Sequence, residues 1–350
     1  MSTKLLIIGT GSMAKNHAVA FKAERDIEVV AAVETNADRR AAFAKEHGIG
    51  KTFADLDAAL AWGGFDAAAN VTPDAVHHPT TMKLLAAGKH VFCEKPLATV
   101  YPLAKEMADT AEAKGVINMV NLTYRASAGL QKARAMVAAG EIGELRHFEA
   151  AYLQSWLVGK HWGDWHTEDR WLWRLSTKHG SNGTVGDIGI HIVDFATFGA
   201  ASDVAALSSR VKTFHTAPGD RIGDYVLDAN DSFVMSVELA NGALGTIQAT
   251  RFATGNPNEL SLSLYGDKGG LKLHYDGRTS TLTSCTGADI DTNTWHTVDC
   301  PPVPTTFQRF ATALRTGKNG DPSFRRAANI QRVLDLCLEA GKSGETVKVA

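Results

Sequence analysis

KLLIIGTGSMA, residues 4–14, decides the fold. Lys4 to Ile8 reads as a short apolar strand. Gly9-Thr10-Gly11-Ser12-Met13-Ala14 then turns into a helix that runs through Ala18-Val19-Ala20-Phe21, with Ser12 as the candidate cap. Gly9 permits the tight turn, Gly11 lets the backbone approach a pyrophosphate, and Ala14 keeps the helix close to the strand. The helix start offers free N–H groups and a positive dipole end to phosphate. Many Gly-x-Gly-x-x-Ala strings are plain loops; this one gains meaning from lying between the first strand and first helix of an alternating unit.

Further strands are predicted at 28–33, 52–53, 66–71, 90–93 and 116–121, and helices at 37–46, 55–62, 77–87 and 98–114. Such alternation implies a parallel sheet with right-handed crossovers, a doubly wound α/β domain over residues 1–122. Glu34 ends the second strand, 23 positions after Gly11, where an acid accepts hydrogen bonds from an adenosine ribose and repels a 2′-phosphate. Arg39 and Arg40 pull the other way, because an arginine there holds a 2′-phosphate. The balance favours NAD, with NADP the alternative. Ligands of open α/β sheets bind beyond the carboxyl ends of the strands. Thr72-Pro73 with His77, Glu94-Lys95-Pro96 and Asn121 fall there. By position alone Lys95 is a surface lysine at a helix start.

Residues 123–350 follow another pattern. A helix at 126–139 precedes strands at 145–152, 205–213, 231–239, 243–252 and 260–265, with turn signals at Asn241-Gly242 and Asp276-Gly277. This predicts an α/β domain built on a mostly antiparallel sheet, closed by helices at 307–315 and 325–340 and a strand at 346–349. Residues 231–238 carry apolar or small side chains on both faces, so the outer face is expected to be a contact surface, giving a homodimer or homotetramer.

Asp187 and His191 stand four apart, which on a helix places carboxylate and imidazole on one face, about 6 Å apart at Cβ. Gly180, Gly183, Gly186 and Gly189 suggest close approach to a ligand. The plainer alternative is a helix start and a satisfied core histidine. Trp156, Trp162, Trp165, Trp171 and Trp173 crowd one stretch; they offer flat faces to a sugar ring, or else anchor a core or a subunit contact. His161, His166, Glu168 and Asp169 lack a compact ligand spacing, so no metal is expected.

With 36 Lys plus Arg against 38 Asp plus Glu, no basic field exists to hold nucleic acid. No apolar run spans a bilayer, and the N-terminus is not a secretory signal. Cys93, Cys285, Cys300 and Cys337 have no CxxC spacing and suit free thiols in a cytoplasmic protein.

The segments VTPDAVHHPTTMKLLAAGKHVFCEKPLA, NLTYRASAGLQKARAMVAAGEIGELRHFEA and GTVGDIGIHIVDF resemble the glucose–fructose oxidoreductase / inositol dehydrogenase / MocA family. The resemblance covers nearly the whole chain. YLQSW, WLWRL and GDIGIHIVDF are most similar to members acting on glycosides, anhydrosugars and inositols. It implies a Rossmann domain, a C-terminal sheet domain that mediates association, and oxidation or reduction of a ring alcohol with NAD(P). It implies Lys95, Asp187 and His191 as the catalytic group. It further implies cofactor contacts from Gly9, Gly11, Ser12, Met13, Ala14, Glu34, Arg39, Thr72, His77, Glu94, Lys95 and Asn121. Substrate contacts would come from Lys95, Tyr124, Arg125, Trp156, Trp173, Asp187 and His191. Removing hydride from a secondary alcohol requires the hydroxyl proton to leave too. A neutral histidine suits that task and an ammonium stabilises the alkoxide. The rivals are an NADP-dependent keto-sugar reductase and a non-catalytic NAD- and sugar-binding sensor.

Overall fold

The computed structural model describes residues 2–349. The chain forms two compact units, Met1–Thr123 with Pro304–Gln331 and Tyr124–Val303 with Arg332–Ala350.

The first unit carries β1 (Thr3–Ile8), α1 (Ser12–Lys22), β2 (Ile27–Val33), α2 (Ala37–Glu46), β3 (Lys51–Phe53), α3 (Leu56–Trp62), β4 (Ala67–Asn70), α4 (Asp74–Ala86), β5 (His90–Cys93), α5 (Tyr101–Lys114) and β6 (Asn118–Val120). The strands form one parallel sheet in the order β3-β2-β1-β4-β5-β6. The order reverses between β1 and β4, which makes the carboxyl ends of those two strands the switch point of the sheet. Leu5, Leu6 and Ile7 of β1 and Ala67 to Ala69 of β4 are buried on both faces, as a covered parallel sheet requires. Local chemistry sets the helix ends. Asn36 and Asp55 accept backbone N–H groups at the starts of α2 and α3, and Gly115 closes α5 in the left-handed region. Ser12 does not cap α1: it is the first helical residue, and Gly11 precedes it without a capping side chain.

The second unit carries α6 (Ala128–Ala138), β7 (Leu145–Leu153), α7 (Asp169–Leu172), a π-helical turn at Val185–Gly189, α8 (Ile190–Gly199) and β8 (Val204–Lys212). A small hairpin follows, β9 (Arg221–Ile222) with β10 (Tyr225–Val226). Then come β11 (Ser232–Leu239), β12 (Leu244–Thr250), β13 (Glu259–Gly266), β14 (Gly269–Tyr275), β15 (Ser280–Thr286), α9 (Asp289–Thr292) and β16 (His296–Val298). The nine-stranded sheet has the order β16-β15-β14-β13-β7-β12-β11-β8-β17, the last strand being Val347–Lys348. β7 and β12 run parallel, and the other described neighbours are antiparallel. In β11 Phe233, Met235, Val237 and Leu239 are buried, while Val234, Ser236 and Glu238 are exposed. The period of two thus survives, with Val234, Ser236 and Glu238 on the outer face.

α10 (Thr306–Thr316) and the first part of α11 (Phe324–Ser343) belong to the first unit, although the sequence placed them with the second domain. The reason is aromatic packing. Phe307 lies 5.1 Å from Phe21 and 5.2 Å from Phe92, and Phe310 lies 5.3 Å from Phe92. The Thr306 hydroxyl donates to Asn121 Oδ1 at 2.7 Å, so residues 121 and 306 are neighbours. Among the described residues no helix is long and apolar enough to cross a membrane.

A fragment of residues 1–122 should therefore show no cooperative unfolding. Losing a buried aromatic costs about 3–5 kcal/mol, against a typical total of about 5–15 kcal/mol. Residues 1–123 joined to 304–331 through a short Gly/Ser linker should unfold with one sharp transition in far-UV circular dichroism. Equal cooperativity of the two fragments would refute the assignment of α10 to this core.

Candidate active site

The glycine loop is built for close backbone approach. Gly9 has φ +88°, and a Cβ on it would lie 2.5 Å from the Val71 carbonyl oxygen. At Gly11 a Cβ would meet nothing within 4 Å. Ala14 is fully buried, so α1 sits tight on the sheet, and Met13 and Ser12 stand exposed in its first turn. Glu34 at the end of β2 accepts the Thr10 amide and hydroxyl on Oε2 and the Asn36 amide on Oε1, and pairs with Arg39 at 3.0 Å. Burial pushes its pKa up, but the Asn36 amide, the Thr10 hydroxyl and Arg39 outweigh it and hold the carboxyl at about 2. A fixed anion at this place repels a 2′-phosphate, and the open backbone at Gly11 and the uncapped start of α1 suit a pyrophosphate. These residues fit NAD.

At the carboxyl ends of β4 to β6 the side chains clamp one another. Glu94 Oε1 accepts His17 Nε2 and Asn121 Nδ2, both at 2.7 Å, and Oε2 accepts the Lys95 amide at 3.1 Å. Burial raises the Glu94 pKa, yet His17, Asn121 and Lys95 together hold it at about 2. His77 is fully buried, its ring nitrogens 2.7 Å from the Pro96 and Thr72 carbonyl oxygens. Only an imidazolium donates to both. Burial works against that cation, but Cys93, Asp74 and the Pro96 carbonyl raise the pKa to about 9. Glu94 and His77 thus fix the loops bearing Thr72 and Lys95. The Thr72 hydroxyl donates to Asn70 Oδ1 at 2.7 Å. Asn121 bridges Glu94 and Thr306.

In the second unit Asp187 sits in the π-helical turn and His191 in α8. A π-turn is wider than an α-turn, so Asp187 and His191 are not the simple α-helical pair that their spacing predicts. Asp187 Oδ2 accepts Arg251 Nη2 at 3.0 Å and lies 3.8 Å from Arg174 Nε. His191 is 8% exposed, with its ring centroid 4.7 Å from that of Tyr124. Two of the glycines around Asp187, Gly186 and Gly189, face protein. A Cβ on Gly186 would strike the Asn182 Cβ at 2.2 Å, and one on Gly189 would press on Phe233 and Leu334.

Tyr124 belongs to a network whose polarity can be read from one end. Trp156 Nε1 has only a donor, given to Gln154 Oε1 at 3.1 Å. Gln154 Nε2 therefore donates to Tyr152 and to Asn258 Oδ1, and the Tyr152 hydroxyl donates to Asn258 Oδ1 at 2.7 Å. Asn258 Nδ2 donates to the Tyr124 oxygen, whose hydroxyl then donates to Tyr152 at 2.5 Å. Burial, with Tyr124 and Asp187 nearby, raises the Tyr152 pKa well above the ordinary phenol value.

The tryptophan stretch is chiefly a core. Trp156, Leu157, Trp165, Leu172, Leu175 and Leu227 are buried together, with Trp162 and Trp171 packed against them. Trp156 is 3% exposed, whereas Trp173 remains half-buried. His166 pairs with Asp164, and Glu168 with Arg170. Arg125 is a correction. It is buried in a bidentate pair with Asp194 (2.6 and 2.7 Å) and stacked on Phe198, so its guanidinium is committed to the core rather than to a substrate. His17, Gln154, Tyr152, Asn258, Arg174 and Arg251 escaped the sequence reading. A weak signal existed for Arg251, a charge directly after an alternating strand.

The GFO/IDH/MocA oxidoreductase family pattern for an NAD-binding Rossmann fold matches residues 3–122, and the family's C-terminal domain pattern matches residues 130–272. The chain is 26% identical over 319 residues to levoglucosan dehydrogenase of Pseudarthrobacter phenanthrenivorans, covering 85% of this chain and 80% of that protein. It is 29% identical over 280 residues to D-glucoside 3-dehydrogenase of Escherichia coli strain K12, covering 77% and 76%. The solved structure of levoglucosan dehydrogenase in complex with NADH and levoglucosan shares the fold, with TM-score 0.88 over all of both chains at 23% identity. The Glu34-guarded glycine loop and the clamped Glu94-Lys95-Pro96 end of β5 thus sit in a chain that belongs to the GFO/IDH/MocA family of NAD(P)-dependent oxidoreductases.

Proposed function

We propose that this chain is a dehydrogenase that oxidises a secondary ring hydroxyl of a sugar, glycoside or inositol with NAD, giving a keto-sugar or inosose. One observation carries the reading: Asp187 is held by a buried guanidinium while His191 lies nearly buried against the Tyr124 phenol. A sensor that only binds has no chemical use for Lys95, Asp187 and His191 together. The relatives named for levoglucosan and D-glucosides support the substrate class.

NAD supplies the hydride acceptor when bound. The Gly9–Gly11 turn and the α1 N-terminus bind its pyrophosphate, and Glu34 takes the ribose hydroxyls. Lys95 stabilises alkoxide character on the reacting oxygen, from a backbone that Glu94 fixes. His191 takes the hydroxyl proton. Asp187 holds a second hydroxyl or orients the imidazole, and Tyr124 and Trp173 contact the sugar. The enzyme works in the cytoplasm as a homodimer or homotetramer formed through the outer face of the nine-stranded sheet.

A screen of cyclic polyols, monosaccharides and glycosides for NADH formation tests the activity; an inert protein would refute it. Lys95→Ala should lower kcat about a hundredfold or more with the NADH dissociation constant little changed. Near-normal turnover would return Lys95 to the surface. His191→Ala should slow oxidation most at neutral and acid pH, where hydroxide cannot replace the base. A uniform loss from pH 6 to 10 would remove the base role. Glu34→Ala should narrow the preference for NADH over NADPH in equilibrium binding, because Arg39, freed from its pair, is left to meet a 2′-phosphate; an unchanged ratio would sink that role. Light scattering should give a multiple of the 37.4 kDa chain mass, and a monomer would rule out association.

A further inference from the structure

Arg251 is the first residue beyond β12 and is fully buried. A buried charge is costly unless its partners are well placed. Here Nη2 donates to Asp187 Oδ2 at 3.0 Å and Nη1 to the Arg174 carbonyl at 3.2 Å. The guanidinium carbon lies 5.0 Å from the Trp156 ring centroid, and Nε has no acceptor among the described residues. Asp231 faces it from the start of β11, and the Arg251 amide donates to the Asp231 carbonyl at 3.1 Å. Burial raises the Asp231 pKa to about 6 against the Phe214 amide and the Arg251 charge. An incompletely bonded buried guanidinium is poor core material; apolar residues of similar volume serve stability as well or better. Its directed bond runs instead to a carboxylate 28% exposed at the side chain.

We propose that Arg251 is a positioning residue that, from inside the core, fixes both the orientation and the negative charge of Asp187, and through it the grip of Asp187 on a substrate hydroxyl. This rests on the reading of Asp187 as a substrate contact. Arginine suits the task because its planar fork spans the Arg174 carbonyl and the Asp187 carboxylate at once, which an ammonium does not. The charged and titratable groups described around Asp187 include Arg251 after β12, Arg174 in the turn at Trp173–Leu175, Tyr152 on β7 and His191 on α8, with Asp231 on the far side of Arg251. Removing Arg251 takes a buried cation and a hydrogen-bond donor away from Asp187, so the carboxylate takes up a proton more readily.

The test uses the full chain with NAD and two probes, levoglucosan and methyl β-D-glucopyranoside. Asp187→Asn, Arg251→Met, Arg251→Lys and the double variant Asp187→Asn/Arg251→Met are compared. Arg251→Met should lower kcat/KM for the sugar about a hundredfold at neutral pH, the scale of breaking one side of a buried pair. The acid limb of its kcat/KM profile should move to higher pH, and NADH binding should stay within about twofold, since the change lies in the second unit. The double variant should be no slower than Asp187→Asn alone, because both changes remove one function. Arg251→Lys should recover about tenfold of the loss by restoring charge without the fork. Losses that multiply in the double variant, or an Arg251→Met enzyme with native rate and pH profile beside an inactive Asp187→Asn, would overturn the inference while the function stands. An Asp187→Asn enzyme with full activity would overturn the reading of Asp187 itself. If Arg251→Met does not fold, Arg251→Lys carries the same cycle, and its additivity with Asp187→Asn decides. A wild-type chain inert to both sugars and to the wider screen would refute the proposed function and this inference together.

Discussion

The buried carboxylate of Glu94 ties together segments far apart in the sequence. Through His17 it reaches α1, through the Lys95 amide the loop after β5, and through Asn121 the end of β6 and, one bond further, Thr306 of α10. A carboxylate taken from water costs several kcal/mol unless its lone pairs are filled, so each of these groups is needed where it stands. The glycine loop precedes α1, the ammonium of Lys95 follows β5, and α10 closes the aromatic core beneath. Loosening the carboxylate would release all of them at once. His77 repeats the device one strand over, with a buried cation between two carbonyls in place of a buried anion among donors.

The second unit contains two buried arginine–aspartate pairs that differ in how completely they close. Arg125 and Asp194 meet in a bidentate fork, both almost without exposure, with Phe198 stacked on the guanidinium. Such a pair fixes α8 against the turn at Thr123–Ala126. Arg251 and Asp187 share one described bond, and the carboxylate keeps part of its surface. The same chemistry therefore yields a closed structural clamp in one place and a partly open anion in the other. A closed, buried fork leaves a carboxylate little room for another hydroxyl; a part-exposed one keeps some.

Periodicity made the alternating elements of the first unit and the meander of the second legible in the sequence, because both are local properties of the chain. The glycine loop was legible for the same reason: turn, approach and helix start lie within six consecutive residues. Side-chain direction was not. Glu94 stands just beyond β5 and His77 in the first turn of α4, but nothing local tells that one is held by His17 and the other by the Pro96 carbonyl. Arg125, next to Tyr124, looked like a substrate contact because its partner Asp194 lies far along the chain. The return of α10 was hidden likewise, since Phe307 reads as the face of any amphipathic helix until Phe21 and Phe92 are known to meet it. Gly186 and Gly189 read as room for a ligand, when Asn182, Phe233 and Leu334 already fill that space; beside Gly180 the space is open.

The parallel pairing of β7 with β12 explains why the residues around Asp187 meet. In an antiparallel pair the end of one strand lies beside the start of the next, whereas parallel neighbours deliver both carboxyl ends to the same edge. Leu153 pairs with Thr250, so the residues that follow each strand emerge side by side. Gln154 and Trp156 come from one strand and Arg251 from the other. The backbone stays coupled past the sheet, with the Gln154 amide on the Thr250 carbonyl and the Ala253 amide on the Gln154 carbonyl, both at 2.9 Å. Trp156 is the hinge of the arrangement. Its Nε1 sets the donor direction of the neutral chain that ends at Tyr124, and its ring lies beneath the guanidinium that holds Asp187. One buried indole thus supports both the phenol beside His191 and the carboxylate in the π-turn. The neutral network and the charged one are fixed from the same point at the same end of the sheet, which is how the sheet comes to set the orientation of groups carried by a helix.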